Sequence, residues 1–225
     1  MPWTTEQKIF IVEAYFRRVI MCQWFCDKID AVPDFLGNVW FSDEAHFLLS
    51  GHLNCKNNIF WGSTPPQHCL QRPLHSVKCT AWVAISKHGI IGPFWFEDDD
   101  EQSVTINTER YVQVLGKFWP ALGRRSGVVR VLQWFQQDGA TPHTSNESLA
   151  WLQQHFPDRL ISRKCDPQWL PHSPDLNPLD FYMWEYFKDR VYGNNPQTIP
   201  DQKAAIRAIL REECGKVIKN IAHRI

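Results

Sequence analysis

Three aspartates at the edges of apolar segments constrain the fold of this chain more than any other sequence feature. Asp43 and Asp138 each follow an apolar, strand-like segment, and Asp180 lies in the first turn of a helical pattern. If that helix packs on a sheet, all three carboxylates can face one point. Converging carboxylates repel one another unless a cation binds them, and hard oxygen ligands favour Mg²⁺ or Mn²⁺. The sequence therefore predicts a site for two divalent ions, roughly 4 Å apart, that serves phosphoryl transfer.

Each aspartate also has a purely structural interpretation. Asp43 can end a strand in a turn, and Asp138-Gly139 is a common turn dipeptide. Asn177 is a natural helix cap with Pro178 at the first helical position, and Asp180 then favours the helix N-terminus. The flanking segments, considered below, decide between these interpretations.

Hydrophobic periodicity predicts an α/β fold with a mixed sheet flanked by helices and a helical extension at the N-terminus. Strands are predicted at 39–42, 58–61, 77–85, 90–96, 128–135 and 160–162. Helices are predicted at 4–30, 107–122, 145–156, 178–191 and 198–221. The first helix has an apolar stripe at helical spacing, formed by Ile9, Val12, Phe16, Val19, Ile20 and Trp24.

Charge and cysteine content narrow the class of protein. Lys plus Arg equals Asp plus Glu at 24 each, which argues against strong nonspecific DNA binding by the whole chain but permits a basic patch. Residues 110–130 contain basic side chains and no acid, and the candidate DNA contacts are Arg124, Arg125 and Lys188. The seven cysteines are odd in number and form no C-x-x-C motif, which is typical of reduced thiols in an intracellular protein. No apolar run approaches a membrane span.

The segments around the aspartates resemble the signature blocks of mariner-superfamily transposases. These segments are Phe41-Ser-Asp-Glu-Ala-His-Phe47, Gln137-Asp-Gly-Ala-Thr-Pro-His143 and His172-Ser-Pro-Asp-Leu-Asn-Pro-Leu-Asp180, of which the third is the most specific. The resemblance covers roughly residues 20–220. It implies an RNase H-like, five-stranded mixed sheet and a DDE/D active site that uses Mg²⁺ or Mn²⁺. It also implies cleavage of DNA at transposon ends followed by strand transfer.

By this resemblance, Asp43, Asp138 and Asp180 are the catalytic and metal-binding triad. The third acid is Asp where many relatives have Glu, and the segment 139–179 is longer than the usual family spacing. Asp175 competes as the third acid, but the family motif places that acid after Asn-Pro-Leu, which favours Asp180.

Two histidines lie close to these acids in sequence. His143 follows Asp138 by five residues, and His46 follows Asp43 by three. Either can orient a water molecule or contact a phosphate, and for each the alternative is simple packing.

The resemblance also predicts the domain organisation. Residues 1–36 are interpreted as a helical extension, the remnant of a DNA-binding region plus linker, and 37–225 as the catalytic domain. Family members carry N-terminal helix-turn-helix units, and no second helix of such a unit fits between residues 17 and 38, so weak recognition of transposon ends is expected.

Two functions follow from these features. The first is a metal-dependent endonuclease and strand transferase acting on terminal inverted repeats and target DNA, as a nuclear protein that can form a homodimer. It would require no organic cofactor and no membrane. The alternative is a catalytically silent or domesticated remnant that acts as a DNA- or protein-interaction module.

Overall fold

The computed structural model describes residues 4–50, 77–166, 168–171 and 173–213, and for residues 5–12 and 14 it describes the backbone alone. The strand predicted at 58–61 and the end of the helix predicted at 198–221 lie outside these residues. Among the described residues, no helix combines the length and apolar character that a membrane span requires.

The described residues form a five-stranded mixed sheet flanked by helices, as the periodicity predicted. The strands are β1 (Val39–Leu48), β2 (Lys78–Ser86), β3 (Gly89–Trp95), β4 (Trp134–Gln136) and β5 (Leu160–Ile161). The α-helices are α1 (Thr5–Ala31), α2 (Thr108–Gly123), α3 (Asn146–His155), α4 (Trp184–Gly193) and α5 (Ile199–Glu213), and a π-helix at Leu179–Met183 runs directly into α4.

The sheet has the order β3-β2-β1-β4-β5. The first three strands pair antiparallel, whereas β4 pairs parallel with β1 and β5 pairs parallel with β4. This order places β1 at the centre, where it contacts β2 on one side and β4 on the other.

Two apolar cores cover the two faces of the sheet. Because side chains alternate along a strand, Phe41 and Phe47 of β1 pack with the core under α4 and α5, which includes Phe187. Trp40 of β1 packs on the opposite face with Phe118 of α2. Consecutive residues of β1 therefore face different helical layers.

Helix α1 was predicted correctly in extent, but its predicted apolar stripe is buried only in part. Trp24 packs edge-on against Trp134, with 5.8 Å between the ring centroids. Phe16 and Ile20 are instead 59% and 62% exposed. Ile9 and Val12 fall among the residues whose side chains are not described.

Two strand boundaries were predicted wrongly. Asp43 does not end β1, because pairing with β2 continues from Phe41 to Leu48. The strand predicted at 128–135 is only Trp134–Gln136, preceded by a 3₁₀ turn. In this turn Val131 and Leu132 are 67% and 56% exposed, so these two apolar residues do not enter the core.

Candidate active site

The parallel pairing of β1 and β4 brings two of the predicted aspartates to the same end of this strand pair. Phe41 of β1 lies beside Gln136 of β4, and that pair is the last of their register. Asp43 and Asp138 each follow two residues later along chains running in the same direction. Asp43 is held rigidly at this point because β1 continues there, with Asp43 opposite Val83 of β2.

The third aspartate is supplied by the π-helix. Asn177 does act as a local cap, accepting a hydrogen bond from the Leu179 amide at 3.1 Å. The helix nevertheless opens with a π turn rather than the predicted α turn, and such turns are frequent at functional sites. The side chain of Asp180 hydrogen bonds to that of Asp43. Asp175, the competing acid, forms an exposed ion pair with Arg18 of α1 instead.

Among these acids, Asp43 has the pKa that departs furthest from its usual value. Burial raises the pKa of Asp43 well above its usual value, and the negative charges of Asp180 and Glu44 raise it further. The indole Nε1–H of Trp184 donates to Asp43 Oδ2 at 2.7 Å and acts in the opposite direction. The protein alone therefore does not stabilise the ionised form of this carboxylate.

Asp180 and Lys188 complete this half of the site. Burial and the charges of Asp138 and Glu44 raise the pKa of Asp180, although its residue surface is largely exposed. Lys188, predicted as a DNA contact, lies close enough to Asp43 and Asp180 to feel both charges, but burial lowers its own pKa. One lysine does not offset the charge of the two acids, since the pKa of Asp43 and that of Asp180 both remain raised.

On the other face of β1, His143 bridges two carboxylates. Its Nδ1 lies 2.5 Å from Asp138 Oδ1, and its Nε2 lies 3.1 Å from Glu44 Oε1. The ring is 4% exposed. Burial disfavours its charge, but the negative Glu44 and the hydrogen bond to Asp138 outweigh this and raise the pKa of His143 to about 10. The imidazolium thus donates on both sides.

The hydrogen bond to His143 also determines the pKa and orientation of the Asp138 carboxylate. Burial acts to raise the pKa of Asp138, but the hydrogen bond and charge of His143, together with the Ala140 amide, lower it overall. Asp138 is therefore ionised and fixed in direction, while its side chain remains 47% exposed. Substrate or solvent can reach this carboxylate.

A polar network holds His143 in place. The Tyr111 ring packs against the imidazole, with centroids 4.1 Å apart, and the Tyr111 hydroxyl donates to Gln137 Oε1 at 2.7 Å. Gln137 Nε2 donates in turn to the His143 carbonyl at 2.8 Å and to Ser162 Oγ at 2.9 Å. Both the backbone and the ring of His143 are consequently fixed.

The remaining predicted residues lie away from the carboxylates. His46 Nδ1 is paired with Thr80 Oγ1 at 2.9 Å, and burial together with nearby lysines lowers its pKa. Arg124 is an exposed residue at the end of α2. Arg125 reaches the carbonyl of Ile90 on β3, the far edge of the sheet.

Glu44 was missed by the sequence reasoning. Its signal was available, because neighbours in a strand face opposite sides, so an acid beside Asp43 must meet the other helical layer and find a partner there. Tyr111 offered no comparable signal, since its apolar neighbours explain it as a core residue of α2.

The carboxylate oxygens of the site suit a hard divalent cation, but the side chains are not yet arranged around a metal-binding position. Within the described ranges, no three His, Cys, Asp or Glu side chains already surround a point at ligand distance. Asp43 and Asp180 bond to each other, and Asp138 is turned toward His143. Oxygen ligands whose ionised forms lack a counter-charge favour Mg²⁺ or Mn²⁺, so the residues fit the ion once these side chains reorient.

Comparison with known proteins agrees with this geometry at the level of the fold. No family model and no curated protein matches the chain. Among solved structures, the Mos1 transposase catalytic domain with raltegravir and Mn matches over 92% of this chain and 88% of that chain, at 17% identity and a TM-score of 0.65. The form with Mg matches over 92% and 89%, at 18% identity and a TM-score of 0.65.

The Mos1 strand transfer complex matches 94% of this chain and 59% of that chain, at 19% identity and a TM-score of 0.64. At these identities the likeness is one of fold. The chain thus has the RNase H-like fold of the Mos1 transposase catalytic domain, a mixed five-stranded sheet flanked by helices.

Proposed function

We propose that this chain is a mariner-type transposase catalytic domain that cuts and joins DNA by metal-dependent phosphoryl transfer. The proposal is supported by the position of Asp43 and Asp138 at the same end of the parallel pair of β1 and β4, and by the contact of Asp180 with Asp43. Their order and their flanking segments are those of the family's triad, and the fold is that of a transposase catalytic domain.

In this proposal the three aspartates hold Mg²⁺ or Mn²⁺, with two ions expected. When bound, the metal supplies activation of the attacking oxygen and stabilisation of the leaving oxygen. Asp43 and Asp180 contribute carboxylates whose ionised forms the protein alone does not stabilise. Asp138 contributes a carboxylate that His143 keeps ionised and aimed.

The proposed partners are the DNA of transposon ends and of target sites, with assembly as a homodimer and action in the nucleus. Among similar structures are Mos1 assemblies described as a strand transfer complex and as a paired-end complex with a left transposon end. The solvent-open position of Asp138 and Asp180 is consistent with access by a large substrate.

A second candidate is a catalytically silent interaction module. It is favoured by the apolar side chains that α1 leaves exposed, among them Tyr15 at 64% and Ile20 at 62%. Under this alternative the carboxylate cluster would have no role in DNA cleavage.

Nicking of supercoiled plasmid in Mn²⁺ separates the two candidates. We expect the wild-type chain to convert supercoiled plasmid to the open circle, and Asp138→Asn to do so at least about 10³-fold more slowly, because metal catalysis supplies several kcal/mol. The matched control is Asp158→Asn, an exposed acid in the turn after α3. Equal nicking by the wild-type protein and Asp138→Asn would refute the enzyme proposal.

A further inference from the structure

A second charged site lies at the far edge of the sheet, away from the carboxylates. It is a cleft of about 440 Å³ between β3, α5 and the turn after α2. The residues that line it are Ile90, Gly92, Pro93, Arg125, Arg207, Leu210 and Arg211. We refer to it as the arginine cleft, because the charged groups that line it in the described part of the chain are three guanidinium groups.

Two of these arginines have no acidic partner among the described residues. No ion pair joins Arg207 or Arg211 to a carboxylate in those parts of the chain. The two acids that follow them on α5, Glu212 and Glu213, pair with Arg190, at 2.7 Å each. The segments 51–76 and 214–225, which are not described, contain no Asp or Glu.

Two of the three arginines, Arg207 and Arg125, are also oriented by contacts with β3. The guanidinium of Arg207 lies over the Trp95 ring, 5.5 Å from its centroid. Arg125 donates to the Ile90 carbonyl. A guanidinium held in this way loses less conformational entropy when it binds an anion, and its planar donor array suits phosphate oxygens.

The cleft is lined by Gly92, whose backbone packs closely against the neighbouring strand β2. Gly92 has a φ of +119°, and a Cβ there would lie 2.7 Å from the Trp82 carbonyl oxygen. Gly92 lies beside Val83 of β2, which is opposite Asp43 of β1. The cleft is thus level with Asp43 and two strand spacings away, about 10 Å within the sheet.

We propose that the arginine cleft binds the phosphate backbone of DNA and is a second anchoring point for the nucleic acid processed at the carboxylates. The choice of DNA rests on the proposed function, whereas the anion site itself rests on the three arginines. A separation of about 10 Å is comparable to the ~12 Å width of a major groove. One duplex can therefore present phosphates to both places.

Helix stabilisation is the simplest competing explanation for one of these residues. Arg211 lies in the last turn of α5, where a cation interacts favourably with the helix dipole. That role explains neither the placement of Arg207 on Trp95 nor the approach of Arg125 from a different segment.

The test is equilibrium binding of a short fluorescent duplex in EDTA, so that cleavage plays no part. We expect Arg207→Gln/Arg211→Gln to weaken binding about tenfold or more at 50 mM salt and to reduce the slope of log K against log salt by about 2, since each phosphate contact contributes about 0.9. Arg207→Lys/Arg211→Lys, which keeps both charges, should retain most of that slope.

The matched control is Lys117→Gln, an exposed lysine on α2 outside the cleft, which should change binding less than about twofold. If the double variant does not fold, Arg211→Gln alone should still reduce the slope by about 1. Wild-type affinity and slope in the double variant, or an equal loss in Lys117→Gln, would overturn the inference. Failure of the proposed function is distinct from this, because it would appear as absent nicking by the wild-type protein.

Discussion

The carboxylates on the two faces of β1 have opposite electrostatic surroundings. On the α4 side, burial raises the pKa of both Asp43 and Asp180, and the negative charges around them raise it further, that of Asp180 acting on Asp43 and that of Asp138 on Asp180. On the α2 side, Glu44 and Asp138 share the buried imidazolium of His143, whose pKa is about 10. Two consecutive residues of β1, Asp43 and Glu44, thus belong to an acidic pair with raised pKa values and to a pair bridged by a cation.

This difference indicates which carboxylates a bound cation would stabilise most. The pair on the α2 side has its counter-charge built into the protein, so its geometry does not depend on a metal. The pair on the α4 side lacks one, since Lys188 nearby does not prevent the raised pKa values. We therefore expect metal to reorganise Asp43 and Asp180 most, with Asp138 as the pre-aimed third ligand.

The largest expected effect concerns the identity of the third acid. Asp180→Asn should lower the rate of plasmid nicking at least about 10³-fold, because it removes a metal ligand. The matched control is Asp175→Asn, which breaks only the exposed ion pair with Arg18 and should change the rate less than about threefold. If the two variants exchange these outcomes, the acid at 175 is the functional one and the comparison of the two faces fails.

The next effect concerns the bridge that His143 forms on the α2 side of β1. His143→Gln should lower the free energy of unfolding by about 2 kcal/mol, because it leaves the acids of that face close together without a counter-charge. Urea denaturation measures it, and adding Glu44→Gln should recover part of the loss. His155→Gln, at a histidine of α3 bonded to the Trp151 carbonyl, is the matched control.

The same variant predicts a pH dependence with a definite sign. Because the pKa of His143 is raised to about 10, its charge stabilises the fold fully below about 6.5 and progressively less as pH rises toward 10. The stability difference between wild type and His143→Gln should therefore shrink over that interval. A difference that grows with pH would contradict the imidazolium bridge.

The smallest effect contrasts the two consecutive acids of β1. Asp43→Asn should raise the free energy of unfolding of the metal-free protein by about 1 kcal/mol, or about 2–4 °C in Tm, because it removes repulsion and keeps an acceptor for Trp184. Glu44→Gln should instead lower the free energy of unfolding, because it removes a negative charge that stabilises the His143 imidazolium. Thermal unfolding in EDTA measures both, and shifts of equal sign would remove the distinction between the faces.

Much of this arrangement could be predicted from the sequence. The extent of α1 and α2 and the positions of the central strands follow from local periodicity. The position of Asp43 and Asp138 at the same end of two neighbouring strands could be expected because each follows an apolar run of residues. These predictions depended on residues close together in the chain.

The rest depends on contacts between distant segments. The strand β1 continues past Asp43 because it pairs with β2. The turn before β4 leaves apolar side chains exposed, which depends on tertiary packing. The bridge from His143 to Glu44 joins residues 99 positions apart. The arginine cleft combines α5 with the turn after α2, and charge counting identified only one of its three arginines in advance.

Calorimetric titration of Mn²⁺ into the metal-free protein tests the central claim most directly. The acidic pair with raised pKa values on the α4 side predicts that the wild-type protein and Glu44→Gln both bind Mn²⁺, whereas Asp43→Asn loses most of the binding heat. The contrary result is Mn²⁺ binding by Asp43→Asn with wild-type affinity, or loss of binding in Glu44→Gln alone, which would place the cation on the other face of β1.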